Sequence, residues 1–222
     1  MGRKLNAVLS LISLVLLLCV AGCSDWGGLA ISGKTGTLGL GGELTTGITE
    51  NVNARVGLNM LDFDLDGEIE DNEYEIGLDF SSFSALVDYY VFHGSFRISG
   101  GVVSLNHELD LEAELDENLD IGDNEYTPAQ VGTLSGSVDI DDLAPYVGIG
   151  WGDTLGRNKR WGFYTDFGVA FAGSPDVSLS ATGAGSVPGL AADLAREEDE
   201  IQDELDVLKF YPVLSVGLFY RF

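Results

Sequence analysis

The chain has 222 residues, 30 of them glycine; 45% are hydrophobic and 10% aromatic, and Lys+Arg 11 against Asp+Glu 36 gives a formal charge of −25. That balance argues against a nucleic-acid partner, because phosphate binding rests on Lys and Arg. The length suits one domain, and the only cysteines, Cys19 and Cys23, sit at the N-terminal end, so no disulfide framework is expected.

The first element is an export signal. Arg3 and Lys4 precede an apolar run from Ala7 to Leu18 and a small-residue stretch, Val20-Ala21-Gly22-Cys23. The run is too short for a transmembrane helix, which needs about 20 residues. Residues 1–22 are therefore read as a signal peptide and 23–222 as the mature domain. The stretch ending at Cys23 resembles a lipobox, which would make Cys23 a lipidated first residue; ordinary cleavage after Ala21 or Ala30 is the alternative.

Beyond the leader no long apolar run exists, and apolar residues alternate with small or polar ones, as strands require. Residues 25–32 form a short candidate strand before a turn-like Gly33-Lys34-Thr35-Gly36, followed by a strand over 37–47. After the short turn Thr49–Val52, one face carries Ala54, Val56, Leu58 and Met60. The apolar phase then slips to Leu61, Phe63 and Leu65. In 74–92 a similar slip separates Tyr74, Ile76, Leu78 and Phe80 from Phe83, Ala85, Val87, Tyr89 and Val91, and a β-bulge near Ser81–Ser82 would explain it. Val147, Ile149 and Trp151 share a face, as do Trp161, Phe163, Thr165, Phe167, Val169 and Phe171. Segment 188–208 instead has a helical stripe of Leu190, Leu194, Ile201, Leu205 and Leu208, with Pro188 in its first turn and Ser186 as its cap.

The last strand, LSVGLFYRF, places Leu214, Val216, Leu218, Tyr220 and Phe222 on alternate positions and ends on phenylalanine. Together with the signal peptide, this resembles the small eight-stranded bacterial outer-membrane β-barrel proteins, with the architecture of the OmpA transmembrane domain and the OmpW-like barrels. The resemblance implies an all-β, antiparallel transmembrane β-barrel of eight strands in the outer membrane, with one amphipathic helix in its last outer loop. It also makes Tyr220 and Phe222 the signal read by the barrel assembly machinery. Short periplasmic turns and longer outer loops would then place 66–73, 109–136 and 183–208 outside the cell.

Acid concentrates in those loops. Eight carboxylates fall in 62–75, nine in 108–125 and eight in 193–206, with Asp139, Asp141 and Asp142 beside them. Within the first patch, DFDLDGEIEDNE (62–73) fits the EF-hand loop pattern, offering Asp62, Asp64, Asp66, Glu68 and Glu73 as oxygen ligands for calcium. An EF-hand needs a helix on each side, and both flanks read as strands. The expectation is a strand end running into a solvated loop, with looser divalent-cation binding as the sharper alternative.

The strand phases point Glu43, Arg55, Asp79, Asp88, Arg97, Asp166 and Arg221 into the lumen. An eight-stranded interior is just wide enough for side chains or one small ligand, so these charges are expected to plug the barrel as ion pairs. No catalytic set of nucleophile, base and orienter is evident around His93 or His107, and no enzyme is expected. The leading reading is a structural or surface-interaction barrel, monomeric, meeting outer-membrane lipid and lipopolysaccharide. No cofactor is expected, with calcium the one candidate ion. The alternatives are a narrow channel or small-solute transporter and, third, a membrane-embedded enzyme.

Overall fold

The computed structural model describes residues 28–69, 72–91, 94–114, 117–122, 124–155 and 160–222; the side chains of 66–69 and 72–74 lie outside the description. The signal peptide, the lipidation candidate Cys23 and the turn residue His93 therefore lie outside the described residues.

Eight strands close into an antiparallel barrel in the order β1 (Leu29–Gly36), β2 (Gly39–Gly47), β3 (Val52–Ile69), β4 (Asn72–Tyr90), β5 (Phe96–Glu114), β8 (Thr133–Trp151), β9 (Trp161–Phe171) and β11 (Phe210–Arg221), with β11 returning to β1. The hairpin β6 (Leu119–Ile121) and β7 (Asn124–Tyr126), the helical turn α1 (Pro128–Val131), the strand β10 (Asp176–Ala181) and the helix α2 (Leu190–Leu205) form an outer cap. The first strand runs four residues further than its sequence suggested. Gly33 to Gly36 belong to β1, and the chain turns at Thr37 and Leu38 instead.

The exterior of the lower barrel is apolar. Leu58, Met60, Val87, Ile98, Leu143, Val147, Ile149, Phe163, Phe167, Leu214, Val216 and Leu218 all stand exposed. Trp151, Trp161 and Tyr220 ring one end and Phe171 and Phe210 lie towards the other, the aromatic girdles of a transmembrane barrel. No described helix is long and apolar enough to cross a membrane, and the strands do the crossing.

β3, β4, β5 and β8 continue well above the girdle, and here the two faces exchange character. In β5 the odd positions face inward from Arg97 and Ser99 at the bottom, through Val103 and Leu105, to Leu109, Leu111 and Ala113 at the top. The outward even positions change from Ile98 and Val102 to Glu108, Asp110, Glu112 and Glu114. Lipid demands apolar side chains outside, whereas above the lipid the outside is water and the apolar side chains turn to the inner face, which the cap covers in part.

This inversion corrects two sequence expectations. β3 and β4 pair without interruption from Val52↔Tyr89 to Ile69↔Asn72, so no bulge interrupts Ser81–Ser82 and no slip follows Met60. Leu61, Phe63, Leu65, Ile76, Leu78 and Phe80 belong to the inward face. Period-2 patterning changed sign because the solvent changed, and the register did not.

The cap is built around Leu190 and Leu194 of α2, which pack with Ile121, Tyr126 and Val131. The helix begins at Gly189, whose φ of +91° suits glycine, and Ser186 is not its cap. Ile201 and Leu205 are half-buried. Side chains of α2 also seal the free edge of β10: Val177 N–H donates to Gln202 Oε1 at 3.1 Å and Leu179 N–H to Glu198 Oε2 at 3.0 Å. Unpaired edge donors are thereby satisfied.

Candidate functional site

The lower lumen holds an ion-pair layer to which six strands contribute charged groups. Arg55 of β3 lies at its centre. Its Nε is 2.6 Å from Asp88 Oδ2, and its Nη1 is 3.2 Å from Glu43 Oε1 and 3.1 Å from Asp166 Oδ2. Arg97 Nη2 donates to Asp166 Oδ1 at 2.7 Å, and its Nη1 to the Gly152 carbonyl at 2.7 Å. Lys34 Nζ reaches Glu43 Oε2 at 3.1 Å. Ser99 Oγ donates to Asp88 Oδ1 at 2.6 Å, so Asp88 is held by two guanidiniums and a hydroxyl.

Glycines make the room. A Cβ on Gly150 would stand 2.7 Å from Asp166 Oδ1 and 2.8 Å from Arg97 Cζ. Gly148 and Gly168 clear space for the Tyr146 hydroxyl, and Gly217 for the Tyr164 ring. Overlaps of that depth would force the backbone or the charge layer to move.

Of the seven charges expected in the lumen, the structure brings together Glu43, Arg55, Asp88, Arg97 and Asp166. Asp79 is not among them. It lies on the water-facing side of β4, opposite Asp62, because the two faces exchange character there with no bulge in the pairing. Arg221 stands at the lower mouth, where its Nη1 donates to the Leu155 carbonyl at 2.8 Å. Lys34 was missed because two glycines around it read as a turn. Its phase with Ala30 and Ser32 was the available signal, since all three are buried. With Lys34 in and Asp79 out, three cations meet three carboxylates, so the acid excess that favoured a cation path is absent from this layer.

Above the ion pairs lies an apolar layer of Leu38, Leu86, Val103, Leu105, Ile140, Ala144, Tyr146 and Val213. His107 closes its top, stacked on Phe80 with centroids 4.4 Å apart and edge-on to Tyr211 at 5.2 Å. Neither ring nitrogen has a hydrogen-bond partner. Burial pushes its pKa down to about 4. Its strand neighbour Glu108 stands in the acidic row above that of Met60, the last lipid-facing residue of β3, which puts His107 above the lipid-facing rows.

The acidic patch takes the form of an ordered wall. Asp62, Asp79, Glu108, Asp139 and Asp176 occupy directly paired positions across β3, β4, β5, β8 and β10, on the outward face just above the girdle. The next rows run Asp64, Gly77, Asp110, Ser137, Ser178 and then, from β4, Glu75, Glu112, Ser135, Ser180. They line an open groove of about 780 Å³. Asp110, then Asp139, raise the Glu108 pKa by charge repulsion. The stretch 62–69 is extended β3, with Glu68 paired to Glu73 across the hairpin, and so has no calcium-loop backbone. The side chains of Asp66, Glu68 and Glu73 lie outside the described residues. Among the described residues no three His, Cys, Asp or Glu converge on one metal position.

No protein-family model and no curated protein matches the sequence. The fold is similar to two solved Acinetobacter baumannii structures. CarO2 superposes with a TM-score of 0.65 at 20% identity, over 90% of this chain and 100% of that one. CarO gives 0.64 at 20% identity, over 87% and 97%. Closed barrel, aromatic girdles and these likenesses agree: the chain has the eight-stranded antiparallel fold of outer-membrane barrel proteins, and such an exterior belongs in a bacterial outer membrane.

Proposed function

We propose that this protein is a structural, surface-interaction barrel of the outer membrane whose acidic outer wall holds divalent cations against the phosphate-bearing lipopolysaccharide around it. The observation that carries this reading is the row Asp62, Asp79, Glu108, Asp139, Asp176. Like charges in directly opposed cross-strand positions repel, and among the described residues of the wall no cation neutralises this row. Its height, immediately above the lipid-facing residues, is where anionic headgroups would stand, and two anionic surfaces approach each other only through cations. Chelation at one point is not required. The wall would hold several exchangeable ions, with affinity in the weak range of extracellular calcium modules, roughly 10⁻⁴–10⁻³ M.

Calcium titration of the refolded barrel in uncharged detergent, with magnesium as competitor, tests the reading. Heat is expected to be saturable, to involve more than one ion, and to fall strongly in the combined Asp79→Asn, Glu108→Gln, Asp139→Asn variant. No saturable heat, or heat indifferent to that variant, would remove the cation role. The narrow-channel alternative has the lumen against it, since a charge-balanced ion-pair layer lies beneath an apolar layer and a cap. Planar-bilayer recordings are expected to show no steady conductance from the wild-type protein.

A further inference from the structure

The two edges of the outer sheet are treated differently. β10, at one edge, has its free amides bonded by Gln202 and Glu198. β3, at the other, loses its lower partner halfway up. β2 pairs with it only as far as Leu40↔Met60, while β3 continues to Ile69 with β4 alone beside it. Among the described residues no backbone hydrogen bond reaches the open side of residues 61–69. Residues 61–65 are exposed on both faces, Leu61 to 38%, Phe63 to 51% and Leu65 to 46%. An open edge nine residues long spans about 30 Å.

The geometry points to a docking site for an extended peptide segment of a partner protein, which adds as a strand to β3 beyond Met60 and alternates basic with apolar residues. Strand addition supplies affinity through main-chain bonds and specificity through alternate side chains. Here the alternation is written on the edge itself. Asp62 and Asp64 stand on its water-facing side, and Leu61, Phe63 and Leu65 on the other. A partner strand would set Lys or Arg beside the former and apolar side chains beside the latter. The same charges disfavour a second copy as occupant, because pairing β3 with β3 would bring acidic faces together; in that sense Asp62 and Asp64 guard the edge against self-association while selecting a basic partner.

The test uses the full barrel in uncharged detergent and a fluorescent nine-residue peptide alternating lysine and valine. Three comparisons separate strand addition from attraction to an acidic surface. N-methylation of alternate peptide amides leaves charge unchanged and should weaken binding by about tenfold or more, since edge hydrogen bonds are lost. A glutamate–valine peptide should not bind the wild-type protein. Against Asp62→Lys with Asp64→Lys, the preference should reverse. Binding that ignores N-methylation, or that survives the charge swap unchanged, would overturn the proposal without relying on any variant that fails to fold. Dimers of the peptide-free protein that the lysine–valine peptide dissociates would overturn it in favour of a second copy.

Discussion

Arg55 of β3 and Asp166 of β9 meet across the lumen at 3.1 Å, 111 residues apart in sequence and both almost wholly buried. Neither could be ionised there alone. Arg55 also holds Asp88 and Glu43, so one guanidinium compensates three carboxylates contributed by three different strands.

Arg55→Met therefore leaves Glu43, Asp88 and Asp166 facing only Lys34 and Arg97. Removing one partner of a buried pair costs about 3–5 kcal/mol, because the remaining charge keeps its desolvation penalty. Urea unfolding in micelles should show a loss of that order. Adding Asp166→Asn should recover part of it, since the two residues are in contact and their effects are not additive. An additive double variant would mean that the pair contributes no coupling.

The glycines of the lumen make a sharper case, because the space they leave is occupied. A Cβ on Gly148 would lie 2.3 Å from the Tyr146 hydroxyl. Gly148→Ala is expected to destabilise by about 1–3 kcal/mol, as overpacking does. Tyr146→Phe in the same chain should restore only part of that, because the ring Cζ and the Phe167 carbonyl oxygen still stand 2.8 and 2.9 Å from the added Cβ. Gly33→Ala meets nothing within 4 Å and should stay within about 0.5 kcal/mol of wild type. Equal effects at the two glycines would show that strand propensity, not space, is what the alanine disturbs.

Much of this arrangement could be read in the sequence, and the failures have separate physical causes. Terminal strand and five lumen charges follow from period-2 alternation in a single solvent, and the strand count from the resemblance to eight-stranded outer-membrane barrels. Asp79 failed because β4 crosses from lipid to water, and a change of solvent inverts the pattern just as a bulge would. Lys34 failed because glycine beside a charge signals a turn locally, while strand pairing with β11 and β2 overrode it. No local signal could have shown that Gln202 and Glu198 cover β10, because that depends on where the helix lands. Nor could the open edge of β3 be seen, since it exists only through the shortness of β2.

His107 gives the protein a pH dependence above the usual carboxylate range. Its ordinary pKa of 6.5 falls to about 4 because burial opposes the charged ring. Between those values the unfolded chain takes up a proton that the folded one refuses, so this residue makes stability fall as pH drops from 6.5 towards 4 and leaves it flat above. His107→Phe keeps the stack on Phe80 and should abolish that slope. Urea midpoints at pH 8, 6 and 5 would show it, and an unchanged slope in the variant would assign the effect elsewhere.

Asp193 works in a separate window. It is buried on α2 and accepts hydrogen bonds from the Tyr126 hydroxyl at 2.5 Å and the Asn124 amide at 2.7 Å, and it pairs with Arg196. The Tyr126 bond first, then the Asn124 bond, hold its carboxyl below the ordinary 3.8. A depressed carboxylate contributes stability that is present above its unfolded pKa and is lost as pH falls through the folded value. The latch between α2 and the β6–β7 hairpin is therefore complete at neutral pH and through the window in which His107 acts, and releases only in stronger acid. Asp193→Ala removes it at every pH. Hydrogen exchange at pH 7 should then quicken by about tenfold or more at the amides of β6 and β7, whose protection reports local opening, while the amides of β9 in the barrel wall remain unchanged. Unchanged exchange in the hairpin would show that Leu190 and Leu194 hold the cap without the carboxylate. Faster exchange in β9 as well would show that the cap and the barrel unfold as one unit.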